Sequence, residues 1–288
     1  MANLKDIKRR IGSVKNTQKI TRAMKLVAAA KLRKAQEAVE ASRPYSERMA
    51  EIMKGIAQRT SPEASPLLRQ RAVENIIIVL YSGDKGLCGP FNSSILKAAQ
   101  KLITANEGKG ISLVILGKKG RDFFKRRNVN IMETIIDVGR QDPYSTAEKV
   151  ADIAINSYIE GKADMVYLLY NQFKNVVVQV PTTVQLLPMH ERLAEEEGEH
   201  GLADYEYEPS AEEILEELIH RFVISQYHQA LLESVASENG ARMTAMDAAT
   251  KNATEMIDLL TLEYNKARQA AITTELIEVV TGADALEG

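Results

Sequence analysis

The sequence contains few of the residues that build redox centres, metal sites or thick aromatic cores. Cys88 is the only cysteine among 288 residues, so the chain can form neither an internal disulfide nor a cysteine-based metal cluster. Tryptophan is absent, and aromatic residues make up 5% of the chain. The four histidines, His190, His200, His220 and His228, have no close metal-ligand spacing. We expect no metal site. We also expect no cysteine nucleophile, because the sequence places no histidine near Cys88 to act as its base.

Long apolar runs are also missing. No segment approaches the roughly 20 apolar residues that a helix needs to cross a bilayer. The first residues, MANLKDIKRRI, contain no apolar signal region and are too short for an organelle transit peptide before a helix begins. We expect a chain without a membrane span or a targeting segment.

Helix-breaking residues are scarce at both ends of the chain. The only glycines and prolines in residues 3–60 and 211–281 are Gly12, Pro44, Gly55 and Gly240. At about 1.5 Å per residue, uninterrupted helices over these stretches would be roughly 85 and 105 Å long. We predict one very long helix at each end. We also expect a bend at Pro44, because proline removes a main-chain hydrogen bond.

Each terminal segment carries an apolar seam with spacings of three and four residues, which is typical of a left-handed coiled coil. The first seam comprises Leu4, Ile7, Ile11, Val14, Ala28, Leu32, Ala35 and Val39, and the second comprises Met243, Met246, Ala253, Ile257, Leu260, Tyr264, Ala267 and Ala271. The first seam is interrupted by Gln18, Thr21 and Lys25. Since neither seam can bury a helix unaided, we predict antiparallel pairing of the two helices. The polar positions are expected to take contacts from outside the pair.

The middle of the chain alternates strand-like and helix-like segments, which predicts a mainly parallel sheet covered by helices. The predicted strands are Asn75–Ser82, Ile111–Leu116, Glu133–Val138, Asp164–Tyr170 and Val176–Leu187, and the predicted helices are about Asn92–Asn106, Lys118–Arg126 and Ser145–Glu160. Ser145 is the expected N-cap of the last of these helices. The link before the final strand is short enough for a hairpin, so that strand is expected to be antiparallel.

These predictions combine into an α/β fold. Two long terminal helices pair as an antiparallel coiled coil, and a mainly parallel, Rossmann-like α/β domain is inserted between them. The predicted boundaries are an N-terminal coiled-coil helix at 1–60, an α/β domain at 70–190, an acidic connecting loop at 191–209 and a C-terminal coiled-coil helix at 210–288.

Charge is strongly segregated along the chain, although the net formal charge is only −2. Residues 1–36 hold eleven basic residues and one acidic residue, for a formal charge of +10. Residues 189–217 hold twelve acidic residues and one basic residue, for −11. Such segregation is typical of surfaces that face different partners. The basic segment lacks interleaved aromatic residues and any recognised DNA-binding pattern, so we expect no nucleic-acid partner.

Two segments could be taken for ligand sites. The loop Gly83–Gly89 follows the first strand, where doubly wound folds hold phosphates. It lacks both phosphate-binding glycine spacings, and Pro90 removes a donor near the helix start, so a tight structural turn is favoured. The acidic run Glu195–Glu199 lacks the glycine and the ligand spacing of a calcium loop, which favours a solvated loop. With no catalytic dyad or triad, the residues indicate a non-enzymatic protein without a cofactor.

Several long motifs resemble the gamma subunit of F-type ATP synthases. Residues 272–285, ITTELIEVVTGADA, match the C-terminal signature of that family. Residues 11–25, IGSVKNTQKITRAMK, resemble its N-terminal segment. Shorter matches are ASRPY at 41–45, DKGLCG at 84–89 and YNKARQA at 264–270. The resemblance covers the whole chain, and its motifs are long and specific.

The resemblance implies a rotary shaft. In this family the paired terminal helices enter the hexameric head of alternating alpha and beta subunits. The globular part stands against the epsilon subunit and the ring of membrane c subunits. Proton (or sodium) flow turns the ring, and the ring turns the shaft. The uneven sides of the shaft drive the catalytic sites of the head in sequence, for ATP synthesis or hydrolysis. Catalytic residues belong to alpha and beta, so none is expected here.

The resemblance also implies contact residues. The family's contacts with the head match Met24, Arg242, Gln269, Thr273 and Glu278. Its contacts with the c ring and epsilon match Tyr205, Tyr207 and Glu208. The alternative for each is coiled-coil packing or solvent exposure. Lys25 places a positive charge beside Met24, which leaves the charge balance at that contact open.

A gamma subunit of this kind is expected in one copy per complex, peripheral to a bacterial inner membrane on its cytoplasmic side. It would meet the membrane only through the c ring. No insertion carries a cysteine pair, so the thiol regulation of chloroplast forms is not expected.

Two other functions are alternatives to the rotary-shaft hypothesis. A nucleotide-dependent α/β enzyme with helical oligomerisation arms would require the isolated chain to bind ATP or to turn over a substrate, and we expect neither. A coiled-coil scaffold or basic nucleic-acid adaptor would show salt-sensitive DNA binding and no affinity for a synthase head.

Overall fold

The computed structural model describes residues 4–59, 63, 65–189 and 211–287. The elements in chain order are α1 (Leu4–Arg59), β1 (Asn75–Tyr81), α2 (Phe91–Ala105), β2 (Gly110–Leu116), α3 (Lys118–Phe124), β3 (Asn130–Ile135), a 3-10 turn (Val138–Arg140), α4 (Pro143–Ile159), β4 (Met165–Phe173), β5 (Gln179–Leu187) and α5 (Ala211–Glu287).

The chain divides into two compact units. The smaller unit comprises residues 1–27 and 243–288, and the larger unit comprises residues 28–242. This division cuts through both terminal helices rather than at 60–70 and 190–210, and the predicted domain boundaries stay a prediction. The predicted acidic loop, 191–209, lies outside the described residues.

The larger unit is built on a five-stranded sheet with the order β3-β2-β1-β4-β5. Strands β1 to β4 are parallel, and β5 pairs antiparallel with β4. The predicted mainly parallel fold and the antiparallel last strand are therefore confirmed. The order of strands reverses between β1 and β4. In doubly wound sheets, a crevice opens outside the carboxyl ends of the strands at such a reversal.

Strand β1 is buried on both faces, which explains its unbroken apolar sequence, NIIIVLY. Ile77, Val79 and Tyr81 belong to a cluster that includes side chains of α4 and of the parts of α1 and α5 in this unit. The alternate residues, Ile76, Ile78 and Leu80, belong to a second cluster with α2 and α3. The sheet is thus covered on both sides.

Several predicted element ends differ from the structure by one to three residues, and two of the differences have clear local reasons. The third strand ends at Ile135 instead of Val138, because Asp137 adopts a left-handed backbone with φ of +54°. Helix α4 begins at Pro143, and its N-cap is Asp142 instead of Ser145. The Asp142 carboxylate accepts a hydrogen bond of 2.8 Å from the Ser145 N–H. Proline is common at the first helical position because the N–H that it lacks would have no acceptor within the helix there.

The smaller unit contains an antiparallel helix pair, as predicted. Three polar contacts join α1 to α5 in descending order along α5, and we call them the polar ladder: Gln18–Thr254, Thr21–Thr250 and Lys25–Asp247. Apolar residues of both seams, such as Ile7 and Met246, are buried. The expectation that the polar seam positions take their contacts from outside the pair is wrong, because α5 supplies matching polar side chains.

Candidate partner-binding surfaces

The polar ladder fixes the register of the helix pair. Gln18 Nε2 donates to Thr254 Oγ1 at 2.7 Å, and the hydroxyl oxygens of Thr21 and Thr250 are 2.8 Å apart. The Thr21 side chain lies inside the seam, since the residue is only 8% exposed. Sliding one helix along the other would separate these partners and leave seam polar groups unpaired, which costs free energy.

The third contact of the ladder carries charge. Lys25 Nζ lies 2.6 Å from Asp247 Oδ1, and Lys251 Nζ lies 3.1 Å from Asp247 Oδ2. The hydrogen bond from Lys25, and then that from Lys251, hold the pKa of the Asp247 carboxyl below its ordinary value. The charge that the sequence places beside Met24 is therefore matched by an acid on the opposite helix.

Four of the predicted head-contact residues belong to the smaller unit. Met24 is partly buried, whereas Gln269, Thr273 and Glu278 are exposed on α5. Thr273 Oγ1 donates to the Gln269 carbonyl at 2.9 Å, so its hydroxyl is satisfied within the helix. The structure thus places these three α5 side chains in solvent and not in the helix seam, and their contact with the head stays a prediction.

The smaller unit also exposes an unusual amount of apolar surface. Its large apolar side chains that are each between 48% and 69% exposed are Ile20, Leu26, Val27, Met256, Leu259, Leu262, Ile272, Leu276, Ile277, Val279 and Val280. The spacing of Ile272, Leu276 and Val279 places them on one face of α5. Soluble monomers rarely expose large apolar patches, and such patches typically mark interaction sites. This apolar set is the strongest candidate for a partner surface in the described chain.

Arg242, the fifth predicted contact residue, is turned toward its own unit. Its Nη2 lies 2.6 Å from Glu238 Oε1 and 3.3 Å from the Gly86 carbonyl oxygen. The side chain is 14% exposed. The guanidinium therefore ties α5 to the loop between β1 and α2, a contact between residues 156 positions apart that the sequence did not reveal.

The loop Gly83–Gly89, which we call the glycine loop, is hydrogen-bonded to side chains of the protein itself. Gly83 N donates to Asn92 Oδ1 at 2.8 Å, and Asn92 Nδ2 donates to the Lys85 carbonyl at 3.2 Å. The first N–H of α3, on Lys118, donates to Asp84 Oδ1 at 3.0 Å. The Gly83 N–H, the Lys85 carbonyl and the first N–H of α3 are thus held by side chains of the protein itself, which supports the structural-turn interpretation.

Cys88 is a packed thiol. It is buried in a small cluster with Phe91 and Ala241. Burial raises the pKa of the thiol, and the nearby Glu238 carboxylate raises it further. A thiol that resists ionisation is a poor nucleophile.

Other kinds of site are missing from the part of the chain that the structure describes. No group of three or more His, Cys, Asp or Glu side chains there could hold a metal ion. None of the helices described combines the length and the apolar character of a membrane span. The predicted c-ring and epsilon contacts, Tyr205, Tyr207 and Glu208, lie outside the described residues, as does the acidic run Glu195–Glu199.

Comparison with known proteins agrees with the motif resemblance. The ATP synthase family model matches residues 3–286. The ATP synthase gamma chain of Pelotomaculum thermopropionicum is 46% identical over 287 residues, and all of both chains is covered. This chain belongs to the ATP synthase gamma-chain family. A second gamma chain, from Geobacter metallireducens, is 48% identical over 291 residues, again with full coverage of both.

Solved structures give the same result. A chain in the central stalk and c-ring structure of the Tetrahymena thermophila mitochondrial ATP synthase is 28% identical, with a TM-score of 0.62. The match covers 80% of this chain and 99% of that one. A chain of the Euglena gracilis mitochondrial ATP synthase shares the fold, with a TM-score of 0.70, 18% identity and coverage of 98% of this chain and 94% of that one.

As a gamma chain, the protein is the central shaft of an F-type ATP synthase and a non-catalytic subunit of that membrane-associated complex. Its role is mechanical, so the residues that matter are those that stiffen the shaft and those that contact its partners. Sequence reasoning missed several of the first kind, namely Asp247, Thr250, Thr254 and Glu238. A signal for three of them existed, because the polar residues 247, 250 and 254 have the same spacing, three and then four residues, as 18, 21 and 25.

Proposed function

We propose that this subunit carries rotation of the membrane c ring, driven by proton flow, to the catalytic sites of the alpha/beta head. The smaller unit enters the head, and the larger unit faces the c ring and the epsilon subunit. The observation that carries the proposal is the exposed apolar set on α1 and α5, because a helix pair with so much uncovered apolar surface needs a surrounding partner.

Torque transmission requires stiffness, which the helices supply. Helices α1 and α5 each contribute residues to both units, and helical main-chain hydrogen bonds run along both helices except at Pro44 of α1, which has no N–H. The polar ladder opposes sliding of one helix along the other. A twisting force applied to the pair is therefore opposed by side-chain contacts as well as by the helical backbones.

Rotation can drive a catalytic site only if the shaft presents different faces to it, since a partner shifts an equilibrium by its differential affinity for the two states. Met24 on α1 and Gln269, Thr273 and Glu278 on α5 are the proposed head contacts. The exposed apolar side chains from Met256 to Val280 lie on α5, whereas α1 exposes no large apolar side chain before Ile20. The described surface is therefore uneven around the shaft.

Arg242 is proposed to act on the head indirectly. Its guanidinium is engaged by Glu238 and by the Gly86 carbonyl, so it holds the glycine loop against α5. A direct contact with an acidic group of the head would compete with these two partners.

The remaining partners follow from the family. Tyr205, Tyr207 and Glu208 are the proposed contacts with the c ring and epsilon. The subunit is proposed to be present once per complex, on the cytoplasmic side of a bacterial inner membrane, and to touch the membrane only through the c ring. It has no cofactor of its own.

A reversible cross-link tests the shaft assignment. Cysteine is introduced by Gln269→Cys and at a facing position of the beta subunit, and the assembled complex is oxidised. We expect loss of proton-coupled synthesis and of coupled hydrolysis, followed by recovery on reduction. The control is the Gln269→Cys complex without the beta cysteine, which should tolerate the same oxidant because the native Cys88 is buried. A linked complex that retains full coupled activity would refute the proposal.

A further inference from the structure

A cleft of about 410 Å³ opens in the larger unit at the carboxyl ends of the parallel strands. Its walls include Tyr81 and Ser82 at the end of β1 and Leu116 at the end of β2. Strand β1 is also the strand at which the sheet order reverses. Crevices at this place bind ligands in open α/β folds, and the volume lies within the usual range of small-molecule sites.

Four exposed cations line this cleft, and three carboxylates line it with them. Lys31, Lys34, Lys85 and Arg140 line it, and no ion pair joins any of them to another described residue. Two of the three carboxylates, Glu238 and Asp137, are already paired with other cations. Glu238 pairs with Arg242 at 2.6 Å, and Asp137 pairs with Lys118 at 3.1 Å. Asp84 accepts the Lys118 main-chain N–H at 3.0 Å and has no ion pair among the described residues, so the four unpaired cations outnumber one unpaired carboxylate.

The backbone that carries Arg140 is held in place. Asp137 has a φ of +54°, a conformation that is costly for a residue other than glycine and that is frequent at functional sites. Gln141 Nε2 donates to the Ile136 carbonyl at 2.9 Å across the same turn. Apolar residues of the cleft lining include Ala35, Leu231 and Val235. The cleft lining thus combines four cationic side chains, which we call its rim, with apolar side chains.

We infer that this cleft binds a compact polyanion, namely the oligophosphate group of a nucleotide or of free di- or triphosphate. Several like charges around one small volume repel one another until an anion joins them, and charge-assisted hydrogen bonds to phosphate are strong. The cationic side chains of Lys31, Lys34, Lys85 and Arg140 would make the contacts. The inference therefore departs from the expectation, drawn from the glycine spacing, that the isolated chain binds no ATP. It does not depend on the proposed shaft function.

Binding to the full-length isolated chain tests this site free of the catalytic head. Sodium tripolyphosphate, ATP and adenosine are titrated in a calorimeter at low and moderate salt. We expect tripolyphosphate and ATP to bind one per chain, more weakly as salt rises, and adenosine not to bind. ATP binding at least about tenfold tighter than tripolyphosphate would identify the nucleotide as the source, and equal affinities would identify the phosphate group alone.

A charge-matched pair of variants locates the site. Lys34→Gln with Arg140→Gln removes two cations from the rim, and Lys97→Gln with Lys101→Gln removes two exposed cations from α2. The rim variant should bind tripolyphosphate at least about tenfold more weakly, and the α2 variant within about twofold of the parent. Thermal unfolding checks that both remain folded, and Lys85→Gln alone is the milder substitute.

Three outcomes would overturn the inference. These are no saturable binding of tripolyphosphate, an equal loss in both double variants, or binding of an acidic peptide from a partner subunit without binding of either phosphate compound. The cross-linking result at Gln269 is independent of each of them, so a failure of this site leaves the shaft assignment standing.

Discussion

Lys25 Nζ on α1 lies 2.6 Å from Asp247 Oδ1 on α5. The two residues are 222 positions apart, and their side chains are 41% and 35% exposed. This contact is the charged end of the polar ladder and lies one residue from Met24, the proposed head contact on α1. The shaft can therefore present Met24 to a partner without an uncompensated lysine charge beside it.

Asp247 gives the helix pair a pH dependence whose sign can be worked out. The folded-state pKa of the carboxyl is lowered by Lys25 and Lys251, so ionised Asp247 stabilises the folded state. That contribution is present above its ordinary pKa of 3.8 and is lost as pH falls through the lower folded value. We expect Asp247→Asn to be less stable than the parent near neutral pH and equally stable in strong acid. Chemical unfolding across this pH range measures the difference.

Asp258→Asn is the matched control. Asp258 is an exposed acid on the same helix, three turns further on, with no ion pair among the described residues. Its substitution should leave stability close to that of the parent at every pH. Equal destabilisation by both variants would assign the effect to helix charge instead of the contact with Lys25.

The Thr21–Thr250 contact should behave as a coupled pair. Removing one hydroxyl leaves the other without its cross-helix partner, and losing such a hydrogen bond costs about 1 kcal/mol. Thr21→Val and Thr250→Val should each destabilise the chain by about that amount, and the double variant by less than the sum of the two. Urea unfolding of the four proteins gives the coupling energy.

Thr273→Val is the control for this double-mutant cycle of Thr21 and Thr250. Thr273 is exposed and bonds only to the Gln269 carbonyl of its own helix. Combined with Thr21→Val it should show no coupling. A coupling equal to that of Thr21 with Thr250 would remove the physical basis of the polar ladder.

Much of the fold follows from local pattern. The apolar run of β1 and the scarcity of glycine and proline in the terminal segments predicted the central strand and the two long helices. The polar residues at 18, 21 and 25 were visible as interruptions of the first apolar seam. The sequence of one helix, however, does not show which residues of a second helix lie opposite them. Their partners became identifiable only when the antiparallel register placed 254, 250 and 247 opposite them.

The candidate site was less predictable than the fold. The head contacts Met24, Gln269, Thr273 and Glu278 could be predicted only from the family motifs, because the exposure of a side chain does not by itself identify its partner. Arg242 was assigned to the same surface, although its guanidinium contacts Gly86 and Glu238. The convergence of Lys31, Lys85 and Arg140 at one cleft depends on how α1, a loop and a turn pack together, which no local signal shows.

Arg242→Ala distinguishes the loop-holding role from direct contact with the head. Loss of the guanidinium leaves Glu238 without its partner and frees the Gly86 carbonyl, which should cost about 1–3 kcal/mol in unfolding free energy. Hydrogen exchange at residues 84–89 should rise, and coupling in the assembled complex should fall. A fall in coupling without any change in exchange would favour direct contact.

The control for Arg242 is Arg221→Ala. Arg221 makes the same kind of pair, with Glu217 four residues earlier at 2.6 Å, but its side chain is 57% exposed. Exposed pairs of this geometry contribute little, so this variant should change neither stability nor loop exchange appreciably. A loss as large as that of Arg242→Ala would show that burial is not what makes the Glu238 pair important.

The N-cap of α4 was predicted to be Ser145, whereas the structure assigns it to Asp142. Asp142 accepts the Ser145 N–H at 2.8 Å, whereas Ser145 is exposed inside the first turn. Replacing an N-cap aspartate by alanine costs about 1 kcal/mol, because a helix N–H then loses its acceptor. We expect Asp142→Ala to lower the unfolding free energy by about that amount and Ser145→Ala to have little effect, since alanine keeps the donating N–H and favours helix. Urea unfolding decides between them, and the reverse order would restore Ser145 as the cap.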